Sequence, residues 1–323
     1  MSCGRKLAAR SRQFVPVIPA LRKVLTVFIA VALLLAPYLA LAQTVKVLAR
    51  ITPQDGHISD AAVLDNSHLV LLYPEAGQIA DYSLDGKLYQ HIVREAGAES
   101  RFTPTFCAVA PDGKLLVFDE TAHKLFTITE DGNIVSGVDL AYPASESDVL
   151  ALSRIGGLSV DAAGLVWVVL PERGVLAGFD IEGTYQASVD LAGLLPYSGA
   201  VYTRAQWLKD GSLYALDYHQ GAVLYRSAGE THFHLVKMQS PAGLDAAPLA
   251  QDFAVDDAGN ILFITSAEGP QLLLLTPGKQ GYESHAVEIK LPTGAKRLAC
   301  CHSQGRFIVW SRDKPLVCVL ELR

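Results

Sequence analysis

The stretch Phe106-Cys-Ala-Val-Ala-Pro-Asp-Gly-Lys-Leu-Leu-Val-Phe118 decides the fold. Two apolar runs flank an Asp-Gly pair, which supplies the positive φ that a tight hairpin turn requires. Asp119–His123 forms a second polar turn, and Lys124–Thr129 forms a third apolar run. Asp131-Gly132 then leads into a fourth run, Asn133–Val138. These 33 residues therefore predict one four-stranded antiparallel sheet.

The same pattern recurs along the chain, anchored at each turn between a first and a second strand, which we call the first turns. Successive anchors are 46 to 51 residues apart, and no helical periodicity is sustained after residue 43. The anchors are Asn66, Gly113, Gly164, Gly211, Gly259 and Gly305. Six repeats of four antiparallel strands predict an all-β fold, a six-bladed β-propeller.

The last repeat is one strand short. Three strands are predicted, near Arg297–His302, Arg306–Trp310 and Leu316–Leu320, and too few residues follow them, up to Arg323, for a fourth. The run Thr44–Ile51 has no local partner. Pairing this run with the last repeat completes the blade and protects its edge, so the sequence predicts that the N-terminal strand closes the ring.

Residues 1–42 have the parts of a secretory signal peptide. Arg22-Lys23 precedes the apolar run Val24–Leu35, which is followed by Pro37 and the small-residue site Ala40-Leu41-Ala42. We expect cleavage after Ala42, a periplasmic or secreted protein, and one propeller domain over 43–323. The alternative is an uncleaved anchor, because Val24–Ala42 is just long enough to span a bilayer.

The charge distribution argues against nucleic-acid binding. Residues 1–42 hold six Lys or Arg and no acidic residue, so the net charge of −6 for the whole chain becomes −12 for the remainder. An acidic body has no general attraction for phosphate backbones.

The repeats resemble those of the NHL-repeat group and the related lactonase-like six-bladed propellers. The resemblance rests on Val109–Asp119, Val160–Val168 and Val255–Phe263, and it covers the chain from residue 43 onward. It implies a fold that hosts binding scaffolds, hydrolases and lyases alike. It also implies that ligands bind at the face where the blades connect.

A basic rim is predicted at the starts of the innermost strands. Its members, together with two acidic residues at the same level, are Arg101, Arg154, Arg204, Arg297, Asp60 and Asp252. Converging guanidinium groups suit a carboxylate or phosphate ligand. The alternative is a structural plug of Arg–Asp ion pairs. Arg204 and Arg297 lie closest to their strands and are expected to reach deepest.

A divalent metal site is a weaker alternative. His57, His123 and His219 lie in or near channel loops, and three imidazoles are able to hold a zinc ion. The lactonase-like resemblance implies a metal held by a Glu, an Asp and two Asn. The three Asn after residue 42, Asn66, Asn133 and Asn260, fall in or beside turns that project elsewhere, so that ligand set is not matched. We therefore predict no cofactor.

Four cysteines follow the signal segment: Cys107, Cys300, Cys301 and Cys318. Cys300 and Cys318 are predicted two strand spacings apart, ~9.6 Å, which exceeds the reach of a disulfide. Buried free thiols are expected, with a vicinal Cys300–Cys301 bond as the alternative.

The sequence contains no specific catalytic motif. We predict a non-enzymatic binding or scaffold module whose partner is a protein or peptide of the cell envelope, or a small anionic ligand, with membrane contact only through an uncleaved N-terminal segment. The polar connection Tyr142–Asp148 is a candidate contact surface. The alternative is a propeller hydrolase or lyase that uses channel His, Asp and Arg residues.

Overall fold

The structure is a computed structural model, and it describes most of the chain from residue 45 onward. The described ranges are 45–53, 56–64, 67–93, 102–129, 131–143, 154–191, 201–236, 249–265, 271–278, 281–290, 298–303 and 305–322. The predicted signal peptide, residues 1–42, lies outside these ranges. Within the described ranges, no helix has the length and apolarity that crossing a membrane requires.

The described elements are strands that form six four-stranded antiparallel sheets, or blades. Blade 1 contains β2 (Ala61–Val63), β3 (His68–Tyr73), β4 (Gln78–Ser83) and β5 (Leu88–Val93). Blade 2 contains β6 (Pro104–Val109), β7 (Leu115–Asp119), β8 (Lys124–Ile128) and β9 (Ile134–Asp139). Blade 3 contains β10 (Gly157–Val160), β11 (Val166–Leu170), β12 (Val175–Phe179) and β13 (Tyr185–Asp190).

The second half of the chain continues in the same order. Blade 4 contains β14 (Tyr202–Trp207), β15 (Leu213–Asp217), β16 (Ala222–Arg226) and β17 (His234–Leu235). Blade 5 contains β18 (Ala250–Val255), β19 (Ile261–Thr265), β20 (Gln271–Gly278) and β21 (Gly281–Val287). Blade 6 contains β22 (Leu298–Ser303), β23 (Arg306–Ser311) and β24 (Val317–Leu322), together with β1 (Val45–Ile51).

Blade 6 is completed by the N-terminal strand, which confirms the predicted closure. β1 pairs antiparallel with β24, and the register runs from Val45 opposite Leu322 to Ile51 opposite Val317. The first strands of neighbouring blades contact one another in a closed ring, from β2 through β22 and back to β2. The fold is therefore the predicted six-bladed β-propeller.

The first turns explain why the hairpins form where the sequence predicts. Gly113 has a φ of +87°, and its N–H donates to the carbonyl of Ala110. In the first turn of blade 3, a side chain reinforces the turn: Asp161 Oδ1 accepts from the N–H groups of Ala163 and Leu165. A Gly with a positive φ, supported by Asp side chains within the turn, thus sets the strand register.

The core lies between the blades. The second strands β7, β11, β15 and β19 are buried along their full length. Val70 and Leu72 of blade 1, for example, pack in one cluster with Leu115 and Val117 of blade 2. This stacking of sheet faces fixes the angle between blades, and it holds the first strands around the channel.

Candidate functional site

The first strands place one residue from each blade at the same level of the channel. Strand pairing aligns Arg204 opposite Leu216 and Asp252 opposite Ile264. The six aligned positions, which we call the channel ring, are Asp60, Phe106, Gly157, Arg204, Asp252 and Ala299. Three of the six, Asp60, Arg204 and Asp252, are ionisable.

Arg204 joins the two carboxylates of the ring. Its Nη1 donates to Oδ1 and Oδ2 of Asp252, at 3.2 and 3.1 Å. Its Nη2 lies 3.7 Å from Oδ1 of Asp60, which belongs to blade 1 on the opposite side of the ring. We call Asp60, Arg204 and Asp252 the channel triad. Its contacts match the structural-plug interpretation, and a ligand role for these residues remains a prediction.

The two carboxylates make the same backbone contacts in different blades. Asp60 accepts from the N–H groups of Ala61 and Cys107, both at 3.0 Å. Asp252 accepts from the N–H groups of Phe253 at 2.9 Å and Cys300 at 3.1 Å. Each carboxylate therefore links its own first strand to the inner edge of the next blade, which satisfies buried donors there.

The triad has one more carboxylate than it has cations. Burial raises the pKa of Asp60 above its usual range, and Asp252 adds to the rise, although Arg204 and the two backbone donors oppose it. For Arg204, burial disfavours the charge, but the two carboxylates outweigh that effect and raise its pKa. Arg204 is therefore permanently charged, and the pKa of Asp60 lies above that of a free aspartate.

The Asp60 and Asp252 side chains offer a matched pair for a stability test. We expect Asp252→Asn to lower the free energy of unfolding by about 1.5–3 kcal/mol more than Asp60→Asn, because only Asp252 hydrogen bonds the guanidinium. Folding raises the pKa of Asp60, so the folded protein holds a proton on this carboxyl group more tightly than the unfolded chain does. The contribution of Asp60 to the free energy of unfolding therefore decreases as pH rises above about 4. Chemical denaturation of both variants from pH 4 to 8 measures each effect. The account would be contradicted if both variants lost the same free energy of unfolding. It would also be contradicted if the free energy of unfolding of Asp60→Asn had the same pH dependence as that of the wild type.

The other predicted rim residues do not join the triad within the described residues. Arg154 lies before β10, with its side chain 79% exposed, and its Nη1 is 3.4 Å from Oε1 of Glu172. Arg204 lies inside β14 and its side chain is 22% exposed, so it reaches deeper, as its shorter offset predicts. Arg101, Arg297 and most of the Tyr142–Asp148 connection lie outside the described ranges.

The predicted histidine site is not assembled. His123 and His219 are exposed, His57 is half-buried, and the described residues contain no group of three or more His, Cys, Asp or Glu able to hold a metal. Asn260 is occupied within its own first turn, where its side-chain nitrogen donates to Oδ2 of Asp256. Asn66 lies outside the described ranges. The described donor set does not fit the metal site that the lactonase-like resemblance implies.

A cavity of about 580 Å³ extends from Arg204 to the first turns. At its deep end lie Arg204, Cys107 and Ala61; at its outer end lie Lys209 and Asp257. The ligand face expected from the sequence lies at the opposite end of the channel, where the blades connect. The cavity instead lies on the first-turn side of the triad.

Residues two positions beyond the channel ring line this cavity in every blade except blade 5. The aligned residues are Ala62, Ala108, Ser159, Gln206, Ala254 and Cys301. Only Gln206 is large, and its amide is bound to the backbone of Val255 in blade 5, with Oε1 accepting at 3.0 Å. Sequence reasoning missed this set, although its members recur at a nearly constant offset before the first-turn anchors.

The four cysteines are free. Consecutive residues on a strand point to opposite faces, and so Cys300 Sγ faces the carbonyl of Leu262 in blade 5 while Cys301 Sγ faces the carbonyl of Ala61 in blade 1. Burial raises the pKa of both thiols well above the usual range. The arrangement matches the predicted free thiols rather than a vicinal disulfide.

Comparison with known proteins supports the fold and leaves the family open. No protein-family model matches the sequence, and no curated protein matches it. Among solved structures, a virginiamycin B lyase from Staphylococcus aureus aligns with a TM-score of 0.56 and 13% identity, over 87% of this chain and 99% of that one. A gluconolactonase from Xanthomonas campestris aligns with a TM-score of 0.57 and 15% identity, over 86% of this chain and 89% of that one.

A third similar structure belongs to a protein with WD40 repeats. Its TM-score is 0.57 at 11% identity, and the alignment covers 88% of this chain and 99% of that one. At such identities the likeness shows the propeller fold alone. The variety of these neighbours agrees with the view that function lies in the site and not in the fold.

Proposed function

We propose that the protein is a non-enzymatic binding module that takes a small ligand into the channel cavity. A volume of about 580 Å³ falls within the range of small-molecule sites, and mixed polar and apolar walls are typical of them. The proposal moves the expected site from the blade-connecting face to the first-turn side of the channel triad.

The observation that carries this proposal is how the charges around the cavity are used. Arg204 is paired with Asp252 and Asp60, and Lys209 Nζ lies 2.8 Å from Oδ2 of Asp257. Burial raises the pKa of the Cys301 thiol, so it is a poor nucleophile at neutral pH. Within the described residues, the cations of the cavity are thus paired with carboxylates and its Cys301 thiol is poorly nucleophilic, which favours binding over catalysis.

The alternative is a lyase or hydrolase, and the solved neighbours include both a lyase and a gluconolactonase. Turnover separates the two functions, because a binding module releases its ligand chemically unchanged. The same experiment therefore addresses both candidates.

We expect Ala108→Phe to weaken ligand binding at least about tenfold, because the introduced phenyl group occupies cavity space that a ligand needs. Ala108 is half-buried and lines the cavity, whereas Ala258 is exposed on a first turn and does not line it. Ala258→Phe is therefore the matched control. A defined mixture of small acids, amides, amines and sugars is equilibrated with each protein, and the retained compounds are quantified by mass spectrometry.

The proposal fails if Ala108→Phe retains the same compounds as the wild type. Conversion of a retained compound to product by the wild type would favour the enzymatic alternative. Thermal melting of both variants shows whether a loss of binding reflects unfolding.

We also propose that the protein is exported and that its blades are repeats of the NHL group. The apolar run Val24–Leu35 and the site Ala40-Leu41-Ala42 support a periplasmic or secreted module that begins at Gln43. Intact-mass measurement of the protein expressed with its full N-terminus in a bacterial host checks the cleavage after Ala42. Recovery of the full-length chain in the membrane fraction would favour the anchor instead.

A further inference from the structure

We infer that the ligand of the channel cavity is an uncharged molecule with a carbonyl or similar acceptor, which hydrogen bonds the Arg204 guanidinium at the deep end. The inference rests on the proposed binding function. It replaces the anionic ligand that the sequence analysis expects with a neutral one, for reasons of donor supply and of charge.

Several N–H groups of Arg204 donate no hydrogen bond to the described residues. A guanidinium carries five N–H groups, and within the described residues Arg204 uses only those of Nη1, which donate to Asp252. The contact from Nη2 to Asp60 is 3.7 Å, an ion-pair distance that is too long for a hydrogen bond. Because 22% of the side chain is exposed and the residue lines the cavity, the guanidinium is within reach of a bound molecule.

The charge around Arg204 disfavours an anion. Two buried carboxylates already surround the single guanidinium, and each also accepts two backbone N–H groups. A ligand carboxylate would be a third negative charge beside one positive charge in a region screened from water. A neutral carbonyl oxygen uses the same donors without adding charge.

The cavity walls point to the same conclusion. The second cation that lines the cavity within the described residues, Lys209, is paired with Asp257 at the outer end. Asp161, also at the outer end, is occupied by the backbone of its own turn and by Nε1 of Trp167. The remaining lining is mainly small or apolar, with Leu158 and Val160 on one wall. Among the described lining residues, therefore, no unpaired cation is left to compensate an anionic ligand.

Three isosteric probes test the charge of the preferred ligand: benzamide, benzoate and benzamidine. They share one ring and differ in a neutral, negative or positive head group. Compounds of this size are expected to bind with a Kd of about 1 mM or weaker, which ligand-observed NMR titration measures. We expect benzamide to bind the wild type and Ala258→Phe, and to lose at least about tenfold in affinity in Ala108→Phe.

Asp60→Asn isolates the charge argument. The substitution removes the surplus negative charge beside Arg204, so we expect it to raise the affinity for benzoate relative to that for benzamide at least about fivefold. In the wild type at pH 7.5, benzoate should bind at least about fivefold more weakly than benzamide. Circular dichroism melting confirms that the variant is folded under the titration conditions.

The outcomes distinguish two claims: that the cavity is a ligand site, and that its ligand is uncharged. If benzoate binds the wild type more tightly than benzamide and Ala108→Phe removes that binding, the cavity is a ligand site but the neutral-ligand inference is wrong. Tightest binding by benzamidine would mean that the carboxylates, and not Arg204, recognise the ligand, and it would also overturn the inference. Absence of binding by all three probes would overturn the inference and count against the cavity as a small-molecule site.

Discussion

Arg204→Met is expected to lower the free energy of unfolding by about 3–5 kcal/mol, the usual cost of removing one partner from a buried ion pair. The loss has two parts. Asp252 loses its hydrogen bonds from Nη1, and Asp60 loses the positive charge across the channel. Two buried carboxylates then remain without a cation, so one of them takes up a proton in the folded state.

The control uses the same substitution at a residue of the same predicted rim. Arg154 is 79% exposed, and its contact with Glu172 is 3.4 Å long. Arg154→Met is therefore expected to change stability by no more than about 0.5 kcal/mol. Urea denaturation at pH 7 compares the two variants directly. If both lose the same amount, Arg204 is not held by the triad as described.

A triple variant distinguishes ion pairing from packing. Combining Arg204→Met with Asp60→Asn and Asp252→Asn removes all three charges, so no buried charge is left without a partner. If charge is the cause, the triple variant recovers part of the loss seen in Arg204→Met alone. If the loss comes from the packing of the long side chain, the triple variant is no more stable than the single one.

Most of the fold was predictable because its determinants are local. The Asp112-Gly113 turn and its equivalents set where each hairpin reverses, and the apolar runs between them have strand periodicity. The role of Thr44–Ile51 followed from counting, because blade 6 has three strands of its own and β1 pairs with the third. Such features depend on residue order alone, which is why they are readable without coordinates.

The site was less predictable because it depends on which side chains converge. The number of residues between each Arg and its first-turn anchor correctly predicted that Arg204 lies deeper in the channel than Arg154. It did not show that Arg204 would contact Asp252 of the next blade and Asp60 across the ring. The cavity was missed for a related reason. Ala108 and Ser159 look like ordinary strand residues until six blades place their equivalents at one level.

Removing the closure strand is expected to have the largest effect of all. A protein that begins at residue 52 should lose cooperative unfolding and aggregate, because β24 is left as an exposed apolar edge. The lost strand also contributes to the core: Ile51 is 1% exposed and packs in the cluster that contains Trp310 and Val317. The reference protein begins at Gln43, and size-exclusion chromatography with thermal melting compares the two.

Two point variants keep this prediction testable if the truncated protein cannot be purified. Ile51→Ala is expected to cost about 2–5 kcal/mol, as for other large-to-small changes in a core. Lys46 lies on the same strand but is exposed, so Lys46→Ala should be nearly neutral. A truncated protein that remains monomeric with an unchanged Tm would show that the ring does not need β1.

A synthetic peptide spanning residues 43–51 gives the converse test. If backbone pairing with β24 is what closes the ring, adding the peptide restores cooperative melting to the truncated protein, and a peptide with proline at Val47 does not.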